Sequence, residues 1–317
     1  MRTKYRHLRD QDRGVIYRMN KAGKTQREIA VSIGFSQSAV SKELKRNQGQ
    51  KGYRWKQAHR MATRRKHAKN SRPILITGNL QHEVRLRLEL KHSPEQISGA
   101  LRLQSIRVSH ETIYGYIVQD KAAGGTLYKN LRINSKRRYR RRVKGHRVGK
   151  IRDRVGIEER PKVVEKRYRY GDWEADLIEG SKGSGFLLSL YERKTRLGKL
   201  VYLPDKGAEK TAEAIINTLQ NFKVMTITYD NGLEFSRHLE ISDKLRARGY
   251  FCAPYHSWEK GGVENFNGLV RQYFPKGSSF AEIDAFVLQQ VEDDLNQRPR
   301  KTLGYKSPSD YLARLAG

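Results

Sequence analysis

The sequence is nearly devoid of cysteine. Among its 317 residues, Cys252 stands alone in the apolar run 250–254. Neither a disulfide framework nor a cysteine-based zinc site can therefore form within one chain. This composition fits a reducing setting, and we expect the protein to be cytoplasmic.

Long apolar runs are also missing. The basic start at 1–6 is not followed by an apolar stretch of signal-peptide length, and no window approaches the roughly 18 apolar residues needed to cross a bilayer. We expect a soluble protein that is not exported and has no membrane partner. No internal repeat of solenoid length occurs either.

Acidic residues are scarce beside basic ones, with 33 Asp and Glu against 65 Lys and Arg and a formal net charge of +32. Such an excess suits a polyanionic partner, and nucleic acid is the first hypothesis. Ribosome-associated proteins and membrane-surface binders share this composition, so motifs have to decide between them.

The chain is long enough for two or three modules. The block 135–154 is too basic and too poor in apolar residues to pack as a core, and it predicts a linker. Helical periodicity precedes it, and apolar, β-branched runs typical of strands follow it. We therefore predict all-α modules at 1–50 and 51–134, a basic linker at 135–160, and at 161–317 an α/β domain with a mixed sheet and flanking helices. Its predicted strands include 186–191, 200–203 and 224–229, and its predicted helices are 208–222, 236–248, 261–273 and 283–296.

The first module contains a helix-turn-helix pattern. Thr25 and Glu28 have the spacing of a capping box, Gly34 supplies a turn, and Ser36 can cap a second helix. The outward positions of that second helix all carry hydrogen-bonding or cationic side chains that suit base edges and phosphates, namely Gln37, Ser38, Ser41, Lys42, Lys45 and Arg46. An ordinary three-helix bundle with a solvated basic face remains the alternative.

A second helix-turn-helix pattern begins at Ser93-Pro-Glu-Gln96, which combines a cap, Pro at the first helical position and a capping-box Gln. Ser109 caps the next predicted helix, in which His110, Thr112, Tyr114 and Tyr116 are expected to lie partly outward and His110 and Thr112 are the candidate DNA contacts. A purely structural bundle that spaces the first module from the α/β domain is the alternative.

Acidic residues of the α/β domain are the candidates for chemistry. In Gly171-Asp-Trp-Glu-Ala-Asp176 the acids alternate with apolar residues, so three carboxylates can share one face of a strand. Such a strand is stable only if its carboxylates face water or a cation. Asp230 ends a predicted strand, and Asp-Asn-Gly there is by itself also an ordinary turn signal.

Glu264 lies in a predicted helix with Lys260 and Arg271 on the same face. A surface ladder of ion pairs is the alternative. Gly261, Gly262 and Gly268 weaken this helix by about 1 kcal/mol each relative to Ala, and a close backbone approach to a ligand is our explanation for them.

The reason to group these acids is chemical. Breaking a phosphodiester requires an activated nucleophile and relief of charge on the phosphate, which two Mg²⁺ ions supply. Mg²⁺ prefers hard oxygen ligands and retains waters, so two or three carboxylates suffice to hold it.

The chain resembles the IS-thirty family of bacterial insertion-sequence transposases, within the Asp-Asp-Glu transposase and retroviral integrase superfamily. The resemblance covers nearly the whole sequence, and 33 residues separate Asp230 from Glu264, in agreement with the family pattern. Its matching segments are 40–47, 93–96, 108–114, 171–176, 229–232, 257–277, 295–304 and 307–308. Asp172 departs from the family, which usually has His at that position.

The resemblance implies a ribonuclease H-like fold in which Asp176, Asp230 and Glu264 are catalytic metal ligands for two Mg²⁺ ions, with Mn²⁺ as a substitute. It implies that Arg271 contacts DNA, and our hypothesis adds Lys260 as a second residue that positions phosphate. Glu174 is a candidate for a supporting group, and the sequence leaves its role open. The implied partners are double-stranded DNA, as the element's terminal inverted repeats and as target, and further copies of the chain in at least a dimer. The implied activity is strand cleavage and strand transfer by direct transesterification in the bacterial nucleoid.

Two other functions share parts of this pattern. A transcriptional regulator would use the helix-turn-helix units and keep the α/β domain only for dimerisation, but all three acids are intact. A ribonuclease H-type nuclease would share the metal site but hardly needs two DNA-recognition modules.

Overall fold

The computed structural model describes residues 6–70, 76–132, 151–253 and 256–316. It divides into two compact units, Met1–Leu75 and Ile76–Gly317. Within the described ranges, no helix is long and apolar enough to cross a membrane.

The first unit is helical and is built on the predicted caps. Its helices are α1 (Asp10–Lys21), α2 (Gln26–Ile33), α3 (Gln37–Asn47) and α4 (Trp55–Asn70). Glu28 N–H donates to Thr25 Oγ1 at 3.3 Å while Thr25 N–H donates to Glu28 Oε2 at 2.8 Å, so the capping box at the start of α2 is confirmed. Gly34 ends α2 in the left-handed conformation, with φ 68°, and thereby turns the chain into α3.

The core of this unit combines an apolar cluster with one buried ion pair. The apolar cluster includes Ile16, Ile29 and Val40, all fully buried. Arg13 Nε donates to Glu43 Oε1 at 2.7 Å in the same interior. Glu43 therefore faces inward on α3, and the exposed face of α3 is left with hydrogen-bonding and basic side chains.

The second unit begins with a helical segment, formed by α5 (Gly78–Glu89), α6 (Pro94–Leu103) and α7 (His110–Ala122). The capping box of α6 is confirmed, since Ser93 N–H donates to Gln96 Oε1 at 2.8 Å and Gln96 N–H to Ser93 Oγ at 3.3 Å. Gln96 Nε2 also donates to the carbonyl of Pro299 at 2.8 Å, which ties this segment to the C-terminal part of the same unit.

A five-stranded mixed sheet with helices on both faces forms the rest of the unit. The strands are β1 (Asp172–Glu179), β2 (Phe186–Glu192), β3 (Gly198–Leu203), β4 (Thr226–Tyr229) and β5 (Arg248–Phe251). The helices are α8 (Lys162–Lys166), α9 (Ala208–Leu219), α10 (His238–Leu245), α11 (Gly261–Val270), α12 (Ala285–Gln297) and α13 (Pro308–Ala316).

The strand order is β3-β2-β1-β4-β5, with β1 to β3 antiparallel and with β4 and β5 parallel to β1. Trp173 and Ala175 face the core beneath α9 and α10, whereas Ile178 faces the core beneath α11 and α12. The even-numbered acids of β1 therefore point toward α11. This order and these directions are those of a ribonuclease H-like sheet, as the resemblance implied.

Some predicted boundaries differ from the structure. The helix predicted at 236–248 was wrong at its end, because Arg246 adopts a left-handed conformation with φ 50° and the chain then pairs with β4 as β5. The helix predicted at 261–273 ends at Val270. Residues 135–150 of the predicted linker lie outside the described part of the chain, whereas 151–160 pack on the sheet, where Phe251 N–H donates to the carbonyl of Val155 at 2.9 Å.

Candidate active site

Three acids of β1, Asp172, Glu174 and Asp176, each meet a cation of the protein itself. Asp172 is fully buried, accepts from Arg169 Nε at 2.9 Å and from Thr226 Oγ1 at 2.7 Å, and so holds strands together. Glu174 is equally buried and is paired with Arg193. The expectation that an acidic strand face needs cations is thus met by arginine and lysine side chains.

Glu174 has a second bond that the sequence did not reveal. Its Oε2 accepts the backbone N–H of Val263 at 2.7 Å, in the first turn of α11. A carboxylate at a helix N-terminus is favourable because it satisfies a free N–H and meets the positive end of the helix dipole. Glu174 therefore fixes the start of α11 against β1.

Asp176 and Asp230 lie close enough to share one cation. The Lys260 ammonium lies 3.1 Å from Asp176 Oδ1, 3.2 Å from Asp230 Oδ2 and 3.3 Å from the carbonyl of Ala175. Asp230 Oδ1 meanwhile accepts from the N–H of Gly232 at 3.0 Å. Asp230 thus forms the turn that its sequence context suggested and also offers a second oxygen to a cation.

Burial and charge set the protonation of this cluster. Burial raises the pKa of Asp176, the charge of Lys260 opposes that rise and the charge of Asp230 adds to it, so the net pKa lies above its ordinary value. Burial lowers the pKa of Lys260, but Asp176 and Asp230 outweigh it and keep the ammonium charged. Glu234, which the sequence did not single out, has a pKa raised first by burial and also by Asp230.

The helix α11 brings a polar side chain to this pair. Asn267 Nδ2 donates to Asp176 Oδ2 at 2.7 Å, while Asn267 Oδ1 is buried and has no partner among the described atoms. Glu264 lies three residues earlier, on the same side of the helix, where its side chain is exposed and makes no ion pair within the described ranges. The two aspartates are brought together, and Glu264 is not part of that contact.

The cations predicted beside Glu264 bind elsewhere in the structure. Lys260 turns toward the aspartates instead. Arg271 Nη2 donates to the carbonyl of Glu179 at 2.6 Å, and its guanidinium lies 5.7 Å from the centre of the Phe280 ring. Backbone and aromatic partners thus compete successfully for Arg271 with an exposed carboxylate, which gains little from pairing in water.

At two of the three glycines of this helix, the missing Cβ makes room for other parts of the protein rather than for the ligand that we expected. A Cβ on Gly262 would lie 2.6 Å from the Tyr191 ring and 2.7 Å from Glu174 Oε2, so protein packing requires glycine there. A Cβ on Gly268 would collide with the Arg132 guanidinium. Only at Gly261 is the space around the missing Cβ open.

The donor set fits a hard divalent cation. Asp176 and Asp230 present carboxylate oxygens to a shared cation, and Asn267 Oδ1 is a further buried oxygen without a partner. No group of three Asp, Glu, His or Cys side chains that could hold a metal occurs in the part of the chain that the structure describes. The aspartates therefore form the core of the candidate site, to which Glu264 is adjacent in α11.

The predicted DNA-recognition residues occupy an exposed helix face. On α3, Gln37, Ser38, Lys42, Lys45 and Arg46 are exposed, and Ser41 is half-buried. The face is therefore accessible, as base and phosphate contacts require.

The second predicted DNA-binding face is less complete. His110 is exposed at the start of α7, whereas Thr112 is half-buried and shares a 2.8 Å hydrogen bond with the capping hydroxyl of Ser109. Tyr116, expected to lie partly outward, is buried, and its hydroxyl accepts from Gln81 Nε2 at 3.1 Å. The helical segment α5 supplies this partner, which the periodicity of α7 alone could not indicate.

The comparisons with known proteins agree with this geometry. Residues 4–47 match the family model described as a helix-turn-helix domain. The chain is 41% identical over 98% of its length to the transposase for insertion sequence element IS4351 of Bacteroides fragilis, covering 96% of that protein. The chain belongs to the IS-thirty family of insertion-sequence transposases.

Other members of the family are similarly close. Transposase InsI for insertion sequence element IS30A of Escherichia coli K12 is 36% identical over 91% of this chain and 78% of its own length. The transposase for insertion sequence element IS1086 of Cupriavidus metallidurans is 36% identical over 99% of this chain and 96% of its own length. Among solved structures, the catalytic core domain of BIV integrase is 21% identical with a TM-score of 0.36, covering 46% of this chain and 95% of that one.

Proposed function

We propose that the protein cleaves DNA at the ends of an insertion sequence and joins the freed ends to new DNA by metal-dependent transesterification. The observation that carries this proposal is the pair Asp176 and Asp230, which share one cation. Asp176 lies within β1, and Asp230 directly follows the adjacent parallel strand β4. Family membership supports the same activity, since the relatives are transposases by name.

In this proposal Asp176, Asp230 and Glu264 hold the metal. When bound, Mg²⁺ or Mn²⁺ ions activate the attacking water or 3′-hydroxyl and neutralise charge on the phosphate oxygens. In strand transfer the 3′-hydroxyl oxygen forms a new bond to phosphorus and loses its proton. The old phosphorus–oxygen bond breaks, and the leaving 3′-oxygen takes up a proton and departs as a free hydroxyl of the target strand. No covalent enzyme intermediate is involved.

The remaining residues of the site act through position and charge. Glu174 holds α11 against β1, so that Glu264 and Asn267 stay beside Asp176. Lys260 keeps the two aspartates together as their counter-ion, and its ammonium would be available to a DNA phosphate if a metal held the aspartates instead. Arg271 contributes a second positive charge for phosphate at the end of β1.

DNA recognition is assigned to the helix-turn-helix of the first unit. The exposed face of α3 carries three cations, Lys42, Lys45 and Arg46, and no exposed acid. Such a face fits phosphate contacts and base edges in the major groove. On α7, His110 and Thr112 form a smaller second contact. Because two element ends must be joined, we propose a homo-oligomer of at least two chains.

A strand-transfer assay tests this function against its rivals. The purified protein is incubated with Mg²⁺ and labelled duplex DNA taken from the borders of its own gene. Products longer than the labelled strand support a transposase. Shortened products alone indicate a nuclease, and specific binding without any metal-dependent product indicates a regulator. Either of these two results contradicts the proposal.

A further inference from the structure

A cavity lined by arginines lies against the side of α11 that carries Gly261, Asn265 and Leu269. Its volume is about 220 Å³, and Arg167, Arg196 and Arg300 contribute to its wall. Gly261 and Asn265, one turn apart on α11, line it as well. We call this space the arginine cavity. It is smaller than a pocket for a drug-sized molecule but holds the volume of several water molecules.

Two guanidinium groups in its wall have unused hydrogen-bond donors. Arg300 is only 9% exposed, and its Nε is buried without a partner among the described atoms. The Nε of Arg196 is in the same situation. Unpaired buried donors are rare in native proteins, so two guanidinium groups that carry them and line the same cavity are candidates to bind an acceptor there.

The charge around the arginine cavity is positive and poorly compensated. Arg167 forms no ion pair with any described residue, and no carboxylate lines the cavity within the described ranges. Glu174, whose charge acts on Arg167, is already occupied by Arg193 and by the N–H of Val263. Burial, together with the guanidinium groups of neighbouring arginines, lowers the pKa of Arg300 to about 10, so it remains protonated at neutral pH.

The N-terminus of α11 adds to this field. Gly261 begins the helix and lines the cavity, and the space where its Cβ would be is empty. Glu174 already accepts the N–H of Val263 in this turn, but the positive end of the ten-residue helix also borders the cavity at Gly261 and Gly262. At the rim, Arg132 Nη1 donates to Asn265 Oδ1 at 3.2 Å and brings a fourth guanidinium.

We propose that the arginine cavity binds a backbone phosphate of the DNA whose cleavage site lies at the aspartates. Lys260 and Asn267 contact Asp176, while Gly261 and Asn265 line the cavity. Both sets of residues lie at the start of α11, so a strand that crosses this part of the helix meets both. A bidentate guanidinium suits a phosphodiester, and several together fix its position. The choice of DNA as the source of the phosphate rests on the proposed function.

The backbone of this site permits a mild test. Arg167 and Arg196 adopt left-handed conformations with φ 55° and 66°, which glycine adopts without strain. The double variant Arg167→Gly/Arg196→Gly in the full chain therefore removes two positive charges without imposing an unfavourable backbone. Arg246→Gly is the matched control, because Arg246 has the same conformation, with φ 50°, and does not line the cavity.

The first measurement uses inorganic phosphate as the probe and requires no catalysis. The melting temperature is recorded in phosphate and in chloride at equal ionic strength. Wild type and Arg246→Gly are expected to gain stability in phosphate relative to chloride, and the double variant is expected to lose that gain. An equal gain in all three proteins overturns the proposal.

The second measurement identifies DNA as the source of the phosphate. Loss of one phosphate contact reduces the slope of log affinity against log salt by about 0.9. When the salt concentration rises from about 50 to about 200 mM, the loss of affinity in such a variant is therefore about 3.5-fold smaller than in wild type. We expect this change in the double variant and not in Arg246→Gly. If the double variant loses the gain in Tm from phosphate but keeps the wild-type salt slope, the assignment of the phosphate to DNA is overturned. If the wild-type protein has no strand-transfer activity but the double variant still shows both the lost stabilisation by phosphate and the reduced salt slope, the proposed catalysis is contradicted and the proposed phosphate site is supported.

Discussion

Replacement of Lys260 by Met tests whether its ammonium takes the place of a metal ion. Met retains an apolar stem of similar length but leaves Asp176 and Asp230 without their shared counter-ion. The Lys260 side chain is 7% exposed, whereas those of Asp176 and Asp230 are 21% and 39% exposed. Breaking a fully buried pair costs about 3–5 kcal/mol and breaking an exposed one at most about 1 kcal/mol.

The loss for Lys260→Met is therefore expected at about 3 kcal/mol in EDTA, which lowers the Tm of a unit of this size by roughly 6–12 °C. Addition of Mg²⁺ should restore much of this loss, because the cation then neutralises the two carboxylates. The gain in Tm from Mg²⁺ should be larger in the variant than in wild type, where metal and ammonium compete. Calorimetry of both proteins with EDTA and with Mg²⁺ measures this. An unchanged Tm in EDTA, or an equal gain from Mg²⁺ in both proteins, would show that the ammonium does not occupy the place of a metal ion.

Three further perturbations follow from the structure. Lys42→Ala and Lys45→Ala should each weaken binding to any duplex DNA and reduce the slope of log affinity against log salt by about 0.9. Titration at several salt concentrations measures this slope, and an unchanged slope would show that α3 does not contact DNA. Burial, with nearby arginines, lowers the pKa of His92 to about 3, so below about pH 6.5 the unfolded chain binds a proton that the folded chain does not. The free energy of unfolding should therefore fall with decreasing pH, by up to about 1.4 kcal/mol per pH unit. In denaturation experiments from pH 6 to 4, His92→Gln should reduce this dependence on pH. Gly262→Ala should destabilise the protein by about 1–3 kcal/mol, because its methyl group meets a tyrosine ring and a buried carboxylate. Gly261→Ala should be neutral or stabilising, because the space around the added methyl group is open. Equal melting curves for the two variants would contradict this packing.

Local signals in the sequence predicted much of the helical structure. The capping box of Thr25 and Glu28 forms because both partners lie within one turn and need no distant residue. The alternation of acids in β1 likewise follows from the period of a strand, and the structure confirms a shared face. The end of the helix at 236–248 was missed because a left-handed Arg246 has no signature in periodicity.

The partners of the acidic residues depended on distant parts of the chain. Lys260 was assigned to Glu264 by helical spacing, but it binds Asp176, which lies 84 positions away in sequence. A buried carboxylate compensates a cation far better than an exposed one, and only the folded sheet brings the two together. The arginine cavity is assembled in the same way, from segments that no local pattern connects.

The most direct test of the central claim is DNA cleavage by Asp230→Asn. Asn can still accept the N–H of Gly232 and keep the turn, but it lacks the charge that a metal requires. With Mg²⁺ and labelled DNA from the element's border, the variant should bind as wild type does, whereas cleavage and strand transfer should be abolished. Cleavage by Asp230→Asn at a rate near that of wild type would contradict the account.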